Sequence, residues 1–270
     1  MNYCPQHGYP LPCDKCGYSG SNTNLFSLEG KIALVTGKSG MLAPVWVETL
    51  KNAGCTVYCG EPPELDVTNK ESIKKFWDDC YFKIKRDYNF PFQAPKEIIP
   101  DIIVNSAAID NPPTSKATFF GNAKEIIDVN LLGALNICEY FIPDMIKNGG
   151  GVIVNIGSIQ GYGGADWANY PDPKFEKPIG YNMSKWAYRG LAKSITTQYG
   201  RYGIRCVTPS FSAYDGGKLE PNFLKNFLRR VPLNRAISKT SMQMTLLYAV
   251  CCPELTGVDW RVDAGLGAWA

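Results

Sequence analysis

The sequence predicts an α/β chain, a doubly wound parallel β-sheet with helices on both faces, in one domain preceded by a short Cys-rich extension. Three observations predict it. Short apolar runs at residues 32–35, 102–104 and 152–156 have strand length and read as strands buried on both faces. Amphipathic, helix-periodic stretches separate them, and strands alternating with helices imply parallel crossovers within one sheet. The first run opens through a glycine turn into a helix, the local geometry of a nucleotide-diphosphate cradle.

Composition narrows the classes. A chain of 270 residues buries a substantial core, and a net charge of +3 gives no reason to expect nucleic acid or an anionic membrane as partner. The longest apolar runs are strand-sized, so no membrane span is expected. Residues 1–5 show neither a basic start nor an apolar segment, so no secretory signal is visible and the expected location is cytoplasmic. The ten cysteines then read as reduced thiols, with Cys55, Cys59 and Cys206 as small core residues inside apolar strands.

Residues 1–25 stand apart as an extension short of aliphatic side chains. Cys4, His7, Cys13 and Cys16 lie there as Cys-x2-His-x5-Cys-x2-Cys, and His7 is the only histidine of the chain. Two close pairs of thiolate and imidazole ligands suit a tetrahedral structural zinc site; a metal-free tail is the competing reading, the five-residue gap being short for a zinc ribbon. The domain proper runs over residues 26–270. Residues 31–35 are its first strand, followed by the turn Gly37, Lys38, Ser39, Gly40, Met41, Leu42 and a helix to about Ala53. The spacing Gly-x-x-Gly-x-x-Ala brings backbone and helix N-terminus close to a diphosphate. Residues 55–59 form the second strand, ending at Glu61. A carboxylate there accepts hydrogen bonds from a ribose 2′-hydroxyl and repels a 2′-phosphate, favouring NAD over NADP, while Lys38 is the opposing feature.

Residues 65–68, including Asp66 and Val67, follow at once as the third strand, without the usual intervening helix. An amphipathic helix covers 69–86, and residues 101–105 make the fourth strand, ending in Asn105, Ser106, Ala107 and Ala108, small enough for a backbone packed against a cofactor. A long helix at 121–147 carries Asn130. The fifth strand, 152–156, delivers Ser158 at its C-terminal end, where open α/β sheets hold ligands. Tyr181 and Lys185 head the next helix, on one face and one turn apart. A free phenol titrates near about 10, and bringing it to about 7 takes roughly 4 kcal/mol. One positive charge some ~4 Å away supplies about that at an effective dielectric of about 20, making Tyr181 with Lys185 a proton-transfer pair for alcohol/carbonyl chemistry. Residues 204–207 form the sixth strand, 211–235 an aromatic and basic lid, and 257–262 the last strand.

With residues 36–43, 105–108, Asn130, Ser158, Tyr181/Lys185 and 262–265 all in order, the chain resembles the short-chain dehydrogenase/reductase family over roughly residues 26–270. The resemblance implies a Rossmann-type fold, a nicotinamide cofactor and a small-molecule alcohol or carbonyl substrate. It makes Tyr181 the general acid/base, Lys185 the group that holds the nicotinamide ribose and lowers the phenol pKa, Ser158 the hydrogen-bond partner of the substrate oxygen, and Asn130 the anchor of a relaying water. It implies Asp66 at an adenine contact, where a turn-capping aspartate is the alternative, and homodimers or homotetramers through the helices carrying Asn130 and Tyr181. The stretch between Ser158 and Tyr181 is longer than usual in such proteins and rich in aromatics. With residues 222–224 and 231–233 it resembles a bacterial branch associated with surface-sugar and flagellin-glycan biosynthesis, implying a sugar or nucleotide-sugar substrate. A 3-oxoacyl or other small-carbonyl reductase and a non-catalytic nucleotide-binding scaffold are the alternatives. A Ser-His-Asp hydrolase is disfavoured, because His7 lies in the extension.

Overall fold

The computed structural model describes residues 25–87, 98–111, 118–217 and 219–269. The strands are β1 (Ile32–Thr36), β2 (Thr56–Gly60), β3 (Ile102–Asn105), β4 (Gly151–Asn155), β5 (Gly157–Ser158), β6 (Ile204–Phe211) and β7 (Asp259–Val262). The helices are α1 (Ala43–Asn52), α2 (Lys70–Asp87), α3 (Ala123–Ile127), α4 (Gly133–Lys147), α5 (Ile179–Tyr199), α6 (Pro221–Leu228) and α7 (Lys239–Cys251). All pairings within the sheet are parallel, in the order β2-β1-β3-β4-β6, with β5 and β7 also on β6. The β4 and β5 partners on β6 share one register, Val154 opposite Val207 and Gly157 opposite Ser210, so β5 prolongs the β4 edge.

The period of two along each strand divides the core. Ala33, Val35, Val104, Val154 and Val207 face α1 and α7, where Trp46, Leu50, Met242 and Leu246 are buried. Leu34, Ile103, Ile153 and Cys206 face the other layer, against Ile73 and Trp77 of α2, Ile137 and Phe141 of α4, and Ala192 and Ile195 of α5. Burial on both faces explains why these strands are continuous apolar runs rather than alternating ones.

Two expectations are corrected. Residues 65–68 are not a strand: Leu65 and Val67 are buried, but Asp66 accepts from the Thr68 N–H at 2.9 Å and its hydroxyl at 2.7 Å, closing a turn into α2. β3 is therefore residues 102–105, paired directly with β1. The long helix beginning near residue 121 contains one π-turn, Asp128–Leu132, centred on buried Asn130. By length and composition Ala123–Lys147 is also apolar enough to cross a membrane, which the reading of apolar runs did not anticipate. In this fold its Ile137, Cys138, Phe141 and Met145 are packed in the core.

Candidate active site

The C-terminal ends of β1, β3 and β5 meet at one edge of the sheet. Gly37, after β1, has φ +79° and lies so close to the next loop that a Cβ would stand 2.7 Å from the Ala107 Cα. The Thr36 hydroxyl binds the two loops by accepting the N–H groups of Ser106 and Ala107 at 3.1 and 3.0 Å. Trp46 of α1 donates its indole N–H to the Ser106 hydroxyl at 3.1 Å. The first turn of α1 has Pro44 and no side-chain cap, so the positive end of the helix faces this edge with its N–H groups unclaimed by a capping side chain. Glu61, past the end of β2, accepts the Ser39 N–H at 2.8 Å; the Ser39 side chain, then that backbone bond and the Lys38 charge, hold its carboxyl below the usual carboxylate range. Lys38 pairs with Glu64 at 3.2 Å.

The remaining residues expected around a cofactor divide. Met41 and Leu42 line the same cavity as Ser158 and Tyr181, a cavity of about 390 Å³. Asn105 is engaged inside the sheet, donating its amide to Asn155 Oδ1 at 2.9 Å. Asp66 caps its own turn, and the Val67 carbonyl accepts from Asn136 at 3.0 Å. Cys4, His7, Cys13 and Cys16 lie outside the described residues; among the described residues no cluster of three or more His, Cys, Asp or Glu side chains is placed to hold a metal.

Of the four polar side chains expected to act together, Ser158 and Tyr181 line the cavity, while Lys185 and Asn130 are buried. The Ser158 hydroxyl accepts the Gln160 N–H at 3.2 Å and acts on the Tyr181 phenol to lower its pKa. Lys185, 4% exposed, donates to the Ile156 carbonyl at 2.7 Å and lies 5.6 Å from the Tyr181 ring centre. Asn130 accepts the Ile109 N–H at 2.7 Å and donates back to the Ile109 carbonyl at 3.0 Å, while its amide reaches the Ser184 hydroxyl at 3.4 Å. The π-turn supplies this orientation, because it widens the helix by one residue where the side chain must point inward.

The electrostatics correct one expectation. The Tyr181 phenol is not near neutrality: burial pushes it well above its ordinary value, the Asp110 charge adds to this, and the Ser158 hydrogen bond opposes it. Burial also lowers Lys185 to about 8, with Asp110 acting the other way. Both groups sit in low dielectric, where desolvation of the charged form is the largest influence on each.

The cavity walls hold residues that motif spacing did not single out. Among the described residues its charged groups are Asp110, Asp166 and Asp263 with Lys177, Arg230 and Arg261. They pair across it: Lys177 with Asp110, Arg230 with Asp166 at 2.8 Å, and Arg261 with Asp263 at 3.8 Å. Tyr162 donates to Asp259 at 2.7 Å, and the same carboxylate takes the Arg189 Nε–H at 2.7 Å. Burial raises the Asp259 carboxyl, but the hydrogen bonds from Tyr162 and Arg189 outweigh it and leave it below its ordinary value. Tyr170 of the aromatic insertion packs on its neighbour Phe175 at 4.6 Å and on Phe223 of the lid at 5.3 Å. A signal existed for some of these: Asp110 follows a strand end on the ligand side of the sheet, and Lys177 lies in the lengthened stretch before Tyr181.

Residues 31–212 match the family model described as short chain dehydrogenase. The chain belongs to that family. It is accordingly a dehydrogenase/reductase. A 7alpha-hydroxysteroid dehydrogenase from Paraclostridium sordellii is 31% identical over 261 residues, covering 88% of this chain and 92% of the relative. Among solved structures, a short chain dehydrogenase from Leptospira borgpetersenii serovar Hardjo-bovis with bound NAD+ superposes with a TM-score of 0.69 at 22% identity, covering 90% of this chain and 94% of that one. A gluconate 5-dehydrogenase from Burkholderia cenocepacia in complex with NADP and tartrate gives a TM-score of 0.68 at 20% identity, covering 90% and 97%. At these identities the two structural likenesses are of fold.

Proposed function

We propose that the chain interconverts a secondary alcohol and its carbonyl on a compact, polyhydroxylated, sugar-like substrate, with NAD as the nicotinamide cofactor. The reading rests on one observation above all: Ser158 and Tyr181 stand together in the lining of a cavity whose wall also carries Met41 and Leu42 of the loop after β1. The residues fit a dinucleotide. The uncapped start of α1 suits a diphosphate, Glu61 at the β2 end suits ribose hydroxyls over a 2′-phosphate, and the tight Gly37–Ala107 contact holds the loops after β1 and β3 together at the sheet edge. Bound there, the nicotinamide supplies or accepts the hydride.

The side chains do the rest. Tyr181 gives a proton to the carbonyl oxygen or takes one from the alcohol, and Ser158 holds that oxygen. Lys185, anchored on the Ile156 carbonyl, stabilises the phenolate once substrate has displaced water. Asn130 fixes the loop at Ile109, next to Asp110 of the cavity lining, and takes the role of orienting a relaying water. The surface-glycan branch finds no support among the relatives, and the proposal does not extend to it. What favours a hydroxylated substrate over a steroid or long acyl chain is the lining of three ion pairs, whose charges an apolar ligand would desolvate without replacing their hydrogen bonds. The exposed Leu132, Leu135, Met183 and Trp186, on the π-turn, α4 and α5, give the chain an apolar face for pairing with a second copy.

Tyr181→Phe is the test. Oxidation of a panel of sugars and polyols, followed as NADH absorbance, is expected to fall about 10²- to 10⁴-fold while NADH affinity by fluorescence stays nearly unchanged. An unaltered rate would remove Tyr181 from the chemistry.

A further inference from the structure

The ion pair of Asp110 and Lys177 has no part in the proton transfer, yet it stands beside the reacting groups. Asp110 comes from the loop after β3 and Lys177 from the segment before α5, 67 residues away, so only the fold brings them together. The Lys177 ammonium lies over the Tyr181 ring, 4.6 Å from its centre. The lysine side chain is 10% exposed and the aspartate 43%, so the carboxylate is the more open half of the pair. Both line the cavity with Ser158 and Tyr181. A carbon presented to the phenol therefore has this pair as a neighbour.

We propose that Asp110 and Lys177 form the specificity element of the site, taking a hydroxyl on the carbon next to the reacting one and so selecting vicinal diols and α-hydroxy ketones over monofunctional alcohols and ketones. This rests on the hydride-transfer reading of the same site. A hydroxyl is both donor and acceptor, and the pair offers the complement of each: a carboxylate has about four acceptor positions and an ammonium three donors, of which the mutual contact uses one. A neutral hydroxyl joins the pair without breaking it. A carboxylate ligand would have to displace Asp110 from Lys177, because the two charges already cancel. An apolar neighbour would cover the ions and return no hydrogen bond. A further acceptor stands in the same wall: Gln160 Oε1 is buried and has no protein partner, and Gln160 lines the cavity, placed for a second hydroxyl.

The test is a matched pair of probes that differ by one hydroxyl. Full-length protein with NAD is assayed on cyclohexane-1,2-diol and on cyclohexanol, and the ratio of their kcat/KM values is taken. A site built to bond a substrate hydroxyl discriminates strongly against the analogue that lacks it, so a preference for the diol of roughly 100-fold or more is expected. In Asp110→Ala/Lys177→Met that ratio should collapse to within a few-fold of one. In Asp110→Asn/Lys177→Gln, which keeps hydrogen-bonding groups without the charges and tolerates loss of folding in the first variant, it should fall to an intermediate value. NADH affinity and circular dichroism confirm that each variant is assembled. A wild-type ratio near one, failure of the wild type to oxidise the diol, or a ratio unchanged in the double variants overturns the assignment. If other alcohols still give turnover that Tyr181→Phe abolishes, the hydride-transfer reading stands while this inference falls.

Discussion

Gly37→Ala tests the junction on which the whole site is mounted. The substitution has two effects, and the structure separates them. Gly37 has φ +79°, where an alanine costs about 1 kcal/mol. Its new Cβ would also stand 2.7 Å from the Ala107 Cα and 2.9 Å from its N, both backbone atoms that no rotamer moves aside. Ordinary contact begins near 3.4 Å, so the loops after β1 and β3 must part by about 0.7 Å, the difference between 3.4 and 2.7 Å. Added to the 3.1 and 3.0 Å bonds from Ser106 and Ala107 to the Thr36 hydroxyl, that opening carries both past hydrogen-bonding range. Each is worth about 1 kcal/mol, giving a packing penalty of about 2 kcal/mol beyond the backbone strain. Gly30→Ala is the control, since Gly30 has φ +75° but nothing within 4 Å of the added Cβ. In thermal unfolding by circular dichroism, Gly37→Ala should melt roughly 4–8 °C below Gly30→Ala for a domain of this size. It should also lose NADH affinity, which Gly30→Ala should not. Equal melting temperatures would show that the two loops are not in contact and would undo the placement of the cofactor cradle.

Other outcomes follow from the same geometry. The raised Tyr181 phenol keeps its proton at neutral pH, so carbonyl reduction should hold its rate there and fall toward alkaline pH, while alcohol oxidation should rise with pH. Asp110 raises both Tyr181 and Lys185, so Asp110→Asn should move both limbs to lower pH; pH–rate profiles that superpose on the wild type would refute this. Glu61→Ser removes the carboxylate at the β2 end, and the ratio of kcat/KM for NAD over NADP should drop at least several-fold; an unchanged ratio would detach Glu61 from cofactor choice. Trp186→Glu and Met183→Glu place charge on the exposed face of α5, and sedimentation should show a smaller species than the wild type, with an unaltered species excluding that face as the subunit contact.

Much of the fold was legible because it depends on local regularities. Strands buried on both faces must be apolar throughout, a glycine at positive φ marks the turn after β1, and a tyrosine and lysine four apart share a helix face whatever surrounds them. The order Ser158, Tyr181, Lys185 at a strand end and the following helix belongs to the same class. The segment at residues 65–68 misled because Leu65 and Val67 are as buried as strand residues, while the bond from Thr68 to Asp66 that makes it a turn is a side-chain matter. Solvation was out of reach altogether. A cation one turn from a phenol suggests a lowered pKa, but enclosure by the surrounding elements reverses the sign, and no residue spacing encodes how much water remains. The partners of charged groups are likewise products of folding. Asp110 meets Lys177, Asp166 meets Arg230, and Asp259 meets both Tyr162 and Arg189 across 64 to 97 residues of chain. Periodicity and turn chemistry thus specify the sheet and where its reactive end lies, because both act within a few residues. The protonation of that end and the lining of its cavity come from long-range packing, because desolvation and ion pairing depend on which distant segments are brought alongside.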